Sequence, residues 1–152
     1  MNANATILVV DDEEVVRRSH LRVLKSVRCQ VEAVGDGEHA LKAMEAQPYD
    51  VVLLDLRMPG MDGMSVLRTM KRRWPESEVI VITGYPSVDT AKEAIRLGAC
   101  DYLAKPLAPG EVIEAANSAM EQKHWTLRQD GEGSIGSSGS NGGAMRQTGI
   151  AS

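Results

Sequence analysis

Five short apolar runs, at 7–10, 30–34, 51–54, 79–82 and 102–104, constrain the fold of this chain more than any other feature. Three of them, Ile7-Leu8-Val9-Val10, Val51-Val52-Leu53-Leu54 and Val79-Ile80-Val81-Ile82, are continuous rather than alternating. A strand that is apolar on both sides must be covered on both faces, which predicts central strands of a parallel sheet. The other two, Gln30–Val34 and Tyr102–Ala104, are shorter or more mixed and read as edge strands.

Stripes at helical spacing lie between the runs. Val16, Val23, Leu24 and Val27 form one, interrupted by His20; Ala40, Leu41 and Met44 form another; Leu67, Met70 and Trp74 form a third, stopped by Pro75. Ser87 is placed to cap a helix ending near Leu97, with Gly98 at its C-terminal end. Pro109 opens a last helix that carries Val112, Ile113, Ala116 and Met120. Strand and helix thus alternate, which predicts an α/β domain with a doubly wound parallel sheet, right-handed crossovers and helices on both faces. Past about Arg128 the periodicity ends, and residues 129–152 hold seven of the fourteen glycines and five serines. Such a segment buries too little surface to offset its ordering entropy. The expected organisation is one domain over 1–128 and a disordered tail over 129–152, with no second core and hence no output domain after the fifth helix.

Charge and composition narrow the function. The net charge is −4 and no basic stripe is present, which argues against direct binding of nucleic acid. The run Lys71-Arg72-Arg73 falls at a predicted helix end, where cations favour the last carbonyls. Phe is absent, so the core must be aliphatic and Met-rich. Cys29 and Cys100 lack disulfide or metal-ligand spacing; Cys100 reads as a small apolar filler. No run approaches the roughly 20 apolar residues of a membrane span, and the N-terminus lacks the basic region of a signal peptide. A cytoplasmic location is expected.

Polar residues gather where the predicted strands end. The first strand runs into Asp11-Asp12, the third into Asp55, the fourth into Thr83 and the fifth into Lys105, before Pro106. Ligands of open α/β sheets bind at the carboxyl ends of strands. Three carboxylates converging there need a cation, and Mg²⁺ suits a site that supplies few carboxylates and leaves room for phosphate oxygens. Carboxylates can act as nucleophiles and become aspartyl-phosphates, while a hydroxyl and an ammonium can cradle a phosphoryl group. Each residue has a plain alternative: an Asp after a strand is a turn or cap residue, and acidic residues at a helix start favour its dipole. Their common placement at strand ends is what points to a site.

The stretches Val9-Val10-Asp11-Asp12-Glu13, Asp55-Leu56-Arg57-Met58-Pro59-Gly60-Met61-Asp62-Gly63, Thr83-Gly84 and Asp101-Tyr102-Leu103-Ala104-Lys105-Pro106 resemble response-regulator receiver domains over roughly residues 6–124. The spellings of the second stretch and of Thr83-Gly84-Tyr85-Pro86-Ser87 look most like receivers of nitrogen-regulator type transcription factors. The resemblance implies a five-stranded flavodoxin-like sheet in the order 2-1-3-4-5 with five helices, as in chemotaxis receivers. It makes Asp55 the phosphoacceptor, with Mg²⁺ held directly by Asp12, Asp55 and the backbone carbonyl of Arg57, and by Asp11 through water. It gives Lys105 the phosphoryl oxygens and Gly84 the space for the incoming group. It makes Thr83 and Tyr102 the switch, and the Lys105–Pro106 bond cis. His20 stands where the family usually has an aliphatic residue and reads as semi-buried. Arg57 and Tyr85 flank the site and could control water access.

The implied partners are a sensor histidine kinase or phosphotransfer protein upstream and a protein target downstream, with room for a phosphorylation-dependent homodimer. On this reading the chain is a switch rather than an enzyme. Three rivals remain. An aspartate-nucleophile phosphatase of the haloacid-dehalogenase kind would place a second Asp where Arg57 stands. A scaffold that no longer uses phosphate would not need Asp11, Asp12, Asp55, Thr83 and Lys105 intact. The chain could also be the N-terminal receiver of a longer transcription regulator.

Overall fold

The computed structural model describes residues 5–58 and 60–123. The expected boundary near Arg128 and the 129–152 tail lie outside the described residues. Among the described residues ten elements alternate: β1 (Thr6–Val10), α1 (Glu14–Lys25), β2 (Gln30–Val34), α2 (Gly37–Ala46), β3 (Val51–Asp55), α3 (Gly63–Arg73), β4 (Glu78–Thr83), α4 (Val88–Arg96), β5 (Asp101–Ala104) and α5 (Pro109–Gln122). All strand pairs are parallel, in the order β2-β1-β3-β4-β5. The three continuous apolar runs are the three central strands, and the two mixed ones are the edges.

Two apolar layers hold the sheet. Ile7, Val9, Val51, Leu53, Ile80 and Ile82 face one way, against Leu24 of α1 and Val112, Ala116 and Met120 of α5. Leu8, Val10, Val52, Leu54, Val79 and Val81 face the other, against α2, α3 and α4 through Ala40, Met44, Leu67, Met70 and Ala94. Alternation of side chains along each strand sends successive residues to opposite layers, which is why these runs carry no polar face.

Element ends depart from the sequence reading where caps decide them. β3 continues through Asp55 and β4 runs from Glu78 to Thr83, each longer than its apolar run, because ladder pairing extends past the last aliphatic residue: Asp55 pairs with Ile82 and Val51 with Glu78. β1 and β5 likewise each gain one residue, Thr6 and Asp101. Val27 is buried but lies beyond α1, whose C-cap is Ser26. Trp74 caps α3 rather than continuing it, since a residue before proline is steered away from helical geometry. Lys71 closes that end by donating to the Pro75 and Ser77 carbonyls, at 2.9 and 2.7 Å, so the Lys71-Arg72-Arg73 run serves its own helix end. Ser87 caps α4 by accepting from the Thr90 N–H, and Gly98 beyond its end has φ +110°, a conformation glycine adopts without penalty. His20 is more deeply buried than expected, at 6% exposure.

Candidate functional site

The carboxyl edge of the sheet gathers its polar residues by register. Val10 pairs with Leu54, so Asp11 and Asp55 emerge together from the neighbouring strands β1 and β3. Asp11 is pinned from three sides. Its N–H donates to the Val34 carbonyl at 3.1 Å, its carbonyl accepts from Arg17 Nη1 at 2.7 Å, and its Oδ1 accepts the Glu13 N–H at 2.9 Å. Asp55 Oδ1 accepts the Arg57 N–H at 3.1 Å. Asp11 and Asp55 are buried, at 2% and 4% exposure, while Asp12 is exposed. One carboxylate oxygen from each of the three lies within 4.8 Å of the others.

Among the described residues, one cation pairs with this group. The Lys105 N–H donates to the Thr83 carbonyl at 2.8 Å, and a cis peptide bond joins Lys105 to Pro106. Its Nζ lies 2.9 Å from Asp11 Oδ2, 3.2 Å from Asp55 Oδ2 and 3.2 Å from Glu13 Oε1. A single ammonium is thus shared among three carboxylates. Burial opposes its charge, but the hydrogen bond to Asp11 and the charges of Asp11 and Asp55 outweigh it and hold Lys105 above the usual lysine range. Burial pushes the Asp55 carboxyl above the usual carboxylate range; the Arg57 N–H pulls it back, the charge of Asp11 adds to the rise and Lys105 opposes it. A buried pair of carboxylates with a fraction of one counter-charge fits a small hard cation through its oxygen donors.

Around this centre, Thr83 is 1% exposed and its Oγ1 accepts the Tyr85 N–H at 3.0 Å. The Tyr102 phenol hydrogen-bonds the start of α4, through the Ser87 N–H at 3.2 Å and the Thr90 hydroxyl. Arg57 lays its guanidinium 4.1 Å from the centroid of the Tyr85 ring, so the residues flanking the site lean on each other. A methyl group at Gly84 would meet Lys105 Cδ at 3.9 Å, an ordinary contact. Gly63 is stricter: a Cβ there would sit 2.5 Å from the Leu56 backbone, which fixes how closely α3 approaches the loop after Asp55. His20, within reach of the Asp11 charge, has its Nδ1 buried and without a hydrogen-bond partner among the described residues. Burial lowers its pKa, the charge of Asp11 raises it and that of Lys105 lowers it further.

The structure therefore brings Asp11, Asp12, Asp55 and Lys105 into one cluster, with Thr83 at its rim, and ties Tyr102 to α4. Sequence reasoning missed Glu13 as a partner of Lys105 and Arg17 as the clamp on Asp11. Glu13 lay within the acidic run after β1. Arg17 follows it by one helical turn, where a side chain can reach back over the loop.

The fold and the cluster define a class, the doubly wound α/β domains that carry a carboxylate site at the point where strand order reverses. Response regulator receiver domain is the family model that matches, over residues 7–117. The chain belongs to this family. It is 41% identical over 121 residues to the regulatory protein AtoC of Escherichia coli, a match covering 80% of this chain and 26% of the relative. It is 34% identical over 117 residues to a putative NtrX-like response regulator of Rickettsia bellii, covering 76% and 24%. Among solved structures, the receiver domain of NtrX from Brucella abortus superposes with a TM-score of 0.72 at 34% identity, covering 76% of this chain and 98% of that one. The chain thus spans about a quarter of the length of these curated relatives. Membership sets aside the phosphatase reading, and no described helix is long and apolar enough to cross a membrane.

Proposed function

We propose that this receiver is a phosphorylation switch in which Asp55 is the phosphoacceptor and Mg²⁺ is bound by Asp12 and Asp55, the Arg57 carbonyl and, through water, Asp11. The observation that carries the reading is the shared ammonium: among the described residues, Lys105 is the one cation paired with Asp11, Glu13 and Asp55, two of them buried. Mg²⁺ would supply the missing positive charge for the carboxylates and for the phosphoryl oxygens. An Asp55 carboxylate oxygen attacks phosphorus; the new O–P bond forms as the bond to the donor breaks, and the donor's leaving atom keeps the electron pair. Lys105 then moves its ammonium from the carboxylates to the phosphoryl group, and the Thr83 hydroxyl donates to a phosphoryl oxygen. Catalysis of this kind is mostly positioning and charge stabilisation. The Arg57–Tyr85 stack beside the site limits the approach of water and so sets how long the acyl phosphate survives.

The domain acts as a switch and not as an enzyme. Its donor is a sensor histidine kinase or a phosphotransfer protein, its output is docking on a protein target or a second copy, and its setting is the cytoplasm. The relatives' family role in two-component signalling supports this. Incubation with acetyl phosphate and Mg²⁺ should add one phosphoryl group by intact mass. Asp55→Asn should add none, and unaltered labelling of that variant would sink the assignment.

A further inference from the structure

Thr83 and Tyr102 lie on neighbouring strands, two positions apart in register, since Val81 pairs with Tyr102 and Thr83 with Ala104. The hydrogen bonds of their hydroxyls run to the segment between them in the chain. Thr83 Oγ1 holds the Tyr85 N–H at 3.0 Å, and the Tyr102 phenol holds the Ser87 N–H at 3.2 Å. The β4–α4 loop, residues 84–87, is thereby strapped at one end to Thr83 and at the other to Tyr102.

A second hydroxyl completes the far end. Thr90, in the first turn of α4, hydrogen-bonds the Tyr102 phenol, and its Oγ1 also lies 2.9 Å from Ser87 Oγ. Ser87 Oγ in turn accepts the Thr90 N–H at 3.1 Å, which is the N-cap of the helix. The ring of Tyr102 and the cap of α4 therefore share one hydroxyl network. Residues 84–89 are exposed and Thr90 and Tyr102 only partly buried; the Tyr102 ring packs against the apolar layer under α4, and its hydroxyl network ties that ring to the exposed loop. Loops and helix starts of this kind open at low cost.

We infer that Thr90 is a positioning residue of the switch: its hydroxyl latches the Tyr102 ring to the N-cap of α4 and holds the unphosphorylated arrangement. This rests on the proposed function. Recruitment of Thr83 to a phosphoryl oxygen pulls on the loop at Tyr85, and the loop loads the latch at Ser87 and Thr90. Removal of the latch shifts the resting population toward the switched arrangement by the ratio that one net hydrogen bond sets, about five-fold.

Tyrosine supplies the probe, because the chain has only three, Tyr49, Tyr85 and Tyr102. The full chain is labelled with ¹³C at the tyrosine ε positions, and spectra are recorded with and without Mg²⁺ and beryllofluoride, a phosphoryl mimic. In the wild type the Tyr102 signal should move on addition of beryllofluoride. In Thr90→Val without it, the signal should already lie toward that position, and acetyl phosphate should label the variant about five-fold faster. Thr90→Ser should restore the wild-type position and rate. Tyr102→Phe removes this bond together with the phenol's bond to the Ser87 N–H, and should label at least as fast as Thr90→Val even where that variant folds poorly. A wild-type shift, with Thr90→Val at the wild-type resting position or Tyr102→Phe at the wild-type rate, overturns the latch alone. A wild-type Tyr102 signal indifferent to beryllofluoride overturns the switch and the latch together.

Discussion

The two ends of the sheet use the same residue types in opposite ways. At the amino edge, Asp50 Oδ2 accepts from the Thr6 N–H and hydroxyl, at 3.0 and 3.2 Å, and its Oδ1 pairs with Lys123 at 3.3 Å. Ser77 donates its hydroxyl to the Tyr49 carbonyl at 2.6 Å. Every polar group named there has its own partner, and these bonds tie the strand starts to the neighbouring loops and to the end of α5. At the carboxyl edge, Asp11, Glu13 and Asp55 share one lysine. The amino edge is complete without a ligand. The carboxyl edge has surplus negative charge, and buried charges are tolerated only when paired or bound to a metal.

Metal should separate the two edges most sharply. A ligand that binds only the native state stabilises it by about 2.7 kcal/mol at a hundredfold excess over Kd. Mg²⁺ should therefore raise the melting temperature of the wild type and of Asp50→Ala, and should fail to raise that of Asp12→Ala or Asp55→Asn. Equal Mg²⁺ stabilisation of all four proteins would place the ion elsewhere.

A smaller contrast appears in EDTA. Asp50→Ala removes satisfied hydrogen bonds and should cost about 1–3 kcal/mol by denaturant unfolding. Asp55→Asn should cost nothing or stabilise. The sign follows from its raised folded pKa: ionising Asp55 costs more in the native state than in the unfolded chain, so its charge works against folding as pH rises above 3.8. A large loss of stability in Asp55→Asn without metal would mean that the carboxyl edge is satisfied as it stands.

The smallest effect belongs to His20. Its folded pKa is depressed, so the stability it contributes is fully present above 6.5 and is lost as pH falls below that value toward the depressed one. His20→Leu should flatten the wild-type decline in melting temperature over that window. An unchanged slope would assign the decline to other groups.

How far these edges were legible in the sequence differs for the same physical reason. Asp55, Thr83 and Lys105 announced themselves because each directly follows an apolar run, and the end of a strand is a local feature. The central strands were legible because burial on both faces leaves no polar alternation. The order in which the strands pair was not, since three aliphatic runs of similar length carry no pairing code; it came with the family resemblance. Contacts that span the fold were equally hidden. Glu13 meets Lys105 across 92 positions, and Asp50 meets Thr6 across 44. Val27 and Trp74 matched helical spacing yet lie at or beyond helix ends, because spacing reports which side is buried and caps decide where a helix stops.

Locating the acyl phosphate tests the central claim most directly. Borohydride reduces an aspartyl phosphate to homoserine, so protein treated with acetyl phosphate and Mg²⁺, then with borohydride, can be digested and sequenced by mass spectrometry. The account predicts homoserine at position 55 alone, and none when EDTA replaces Mg²⁺. Homoserine at 11, 12 or 50 instead of 55, or at 55 with EDTA present, would contradict it.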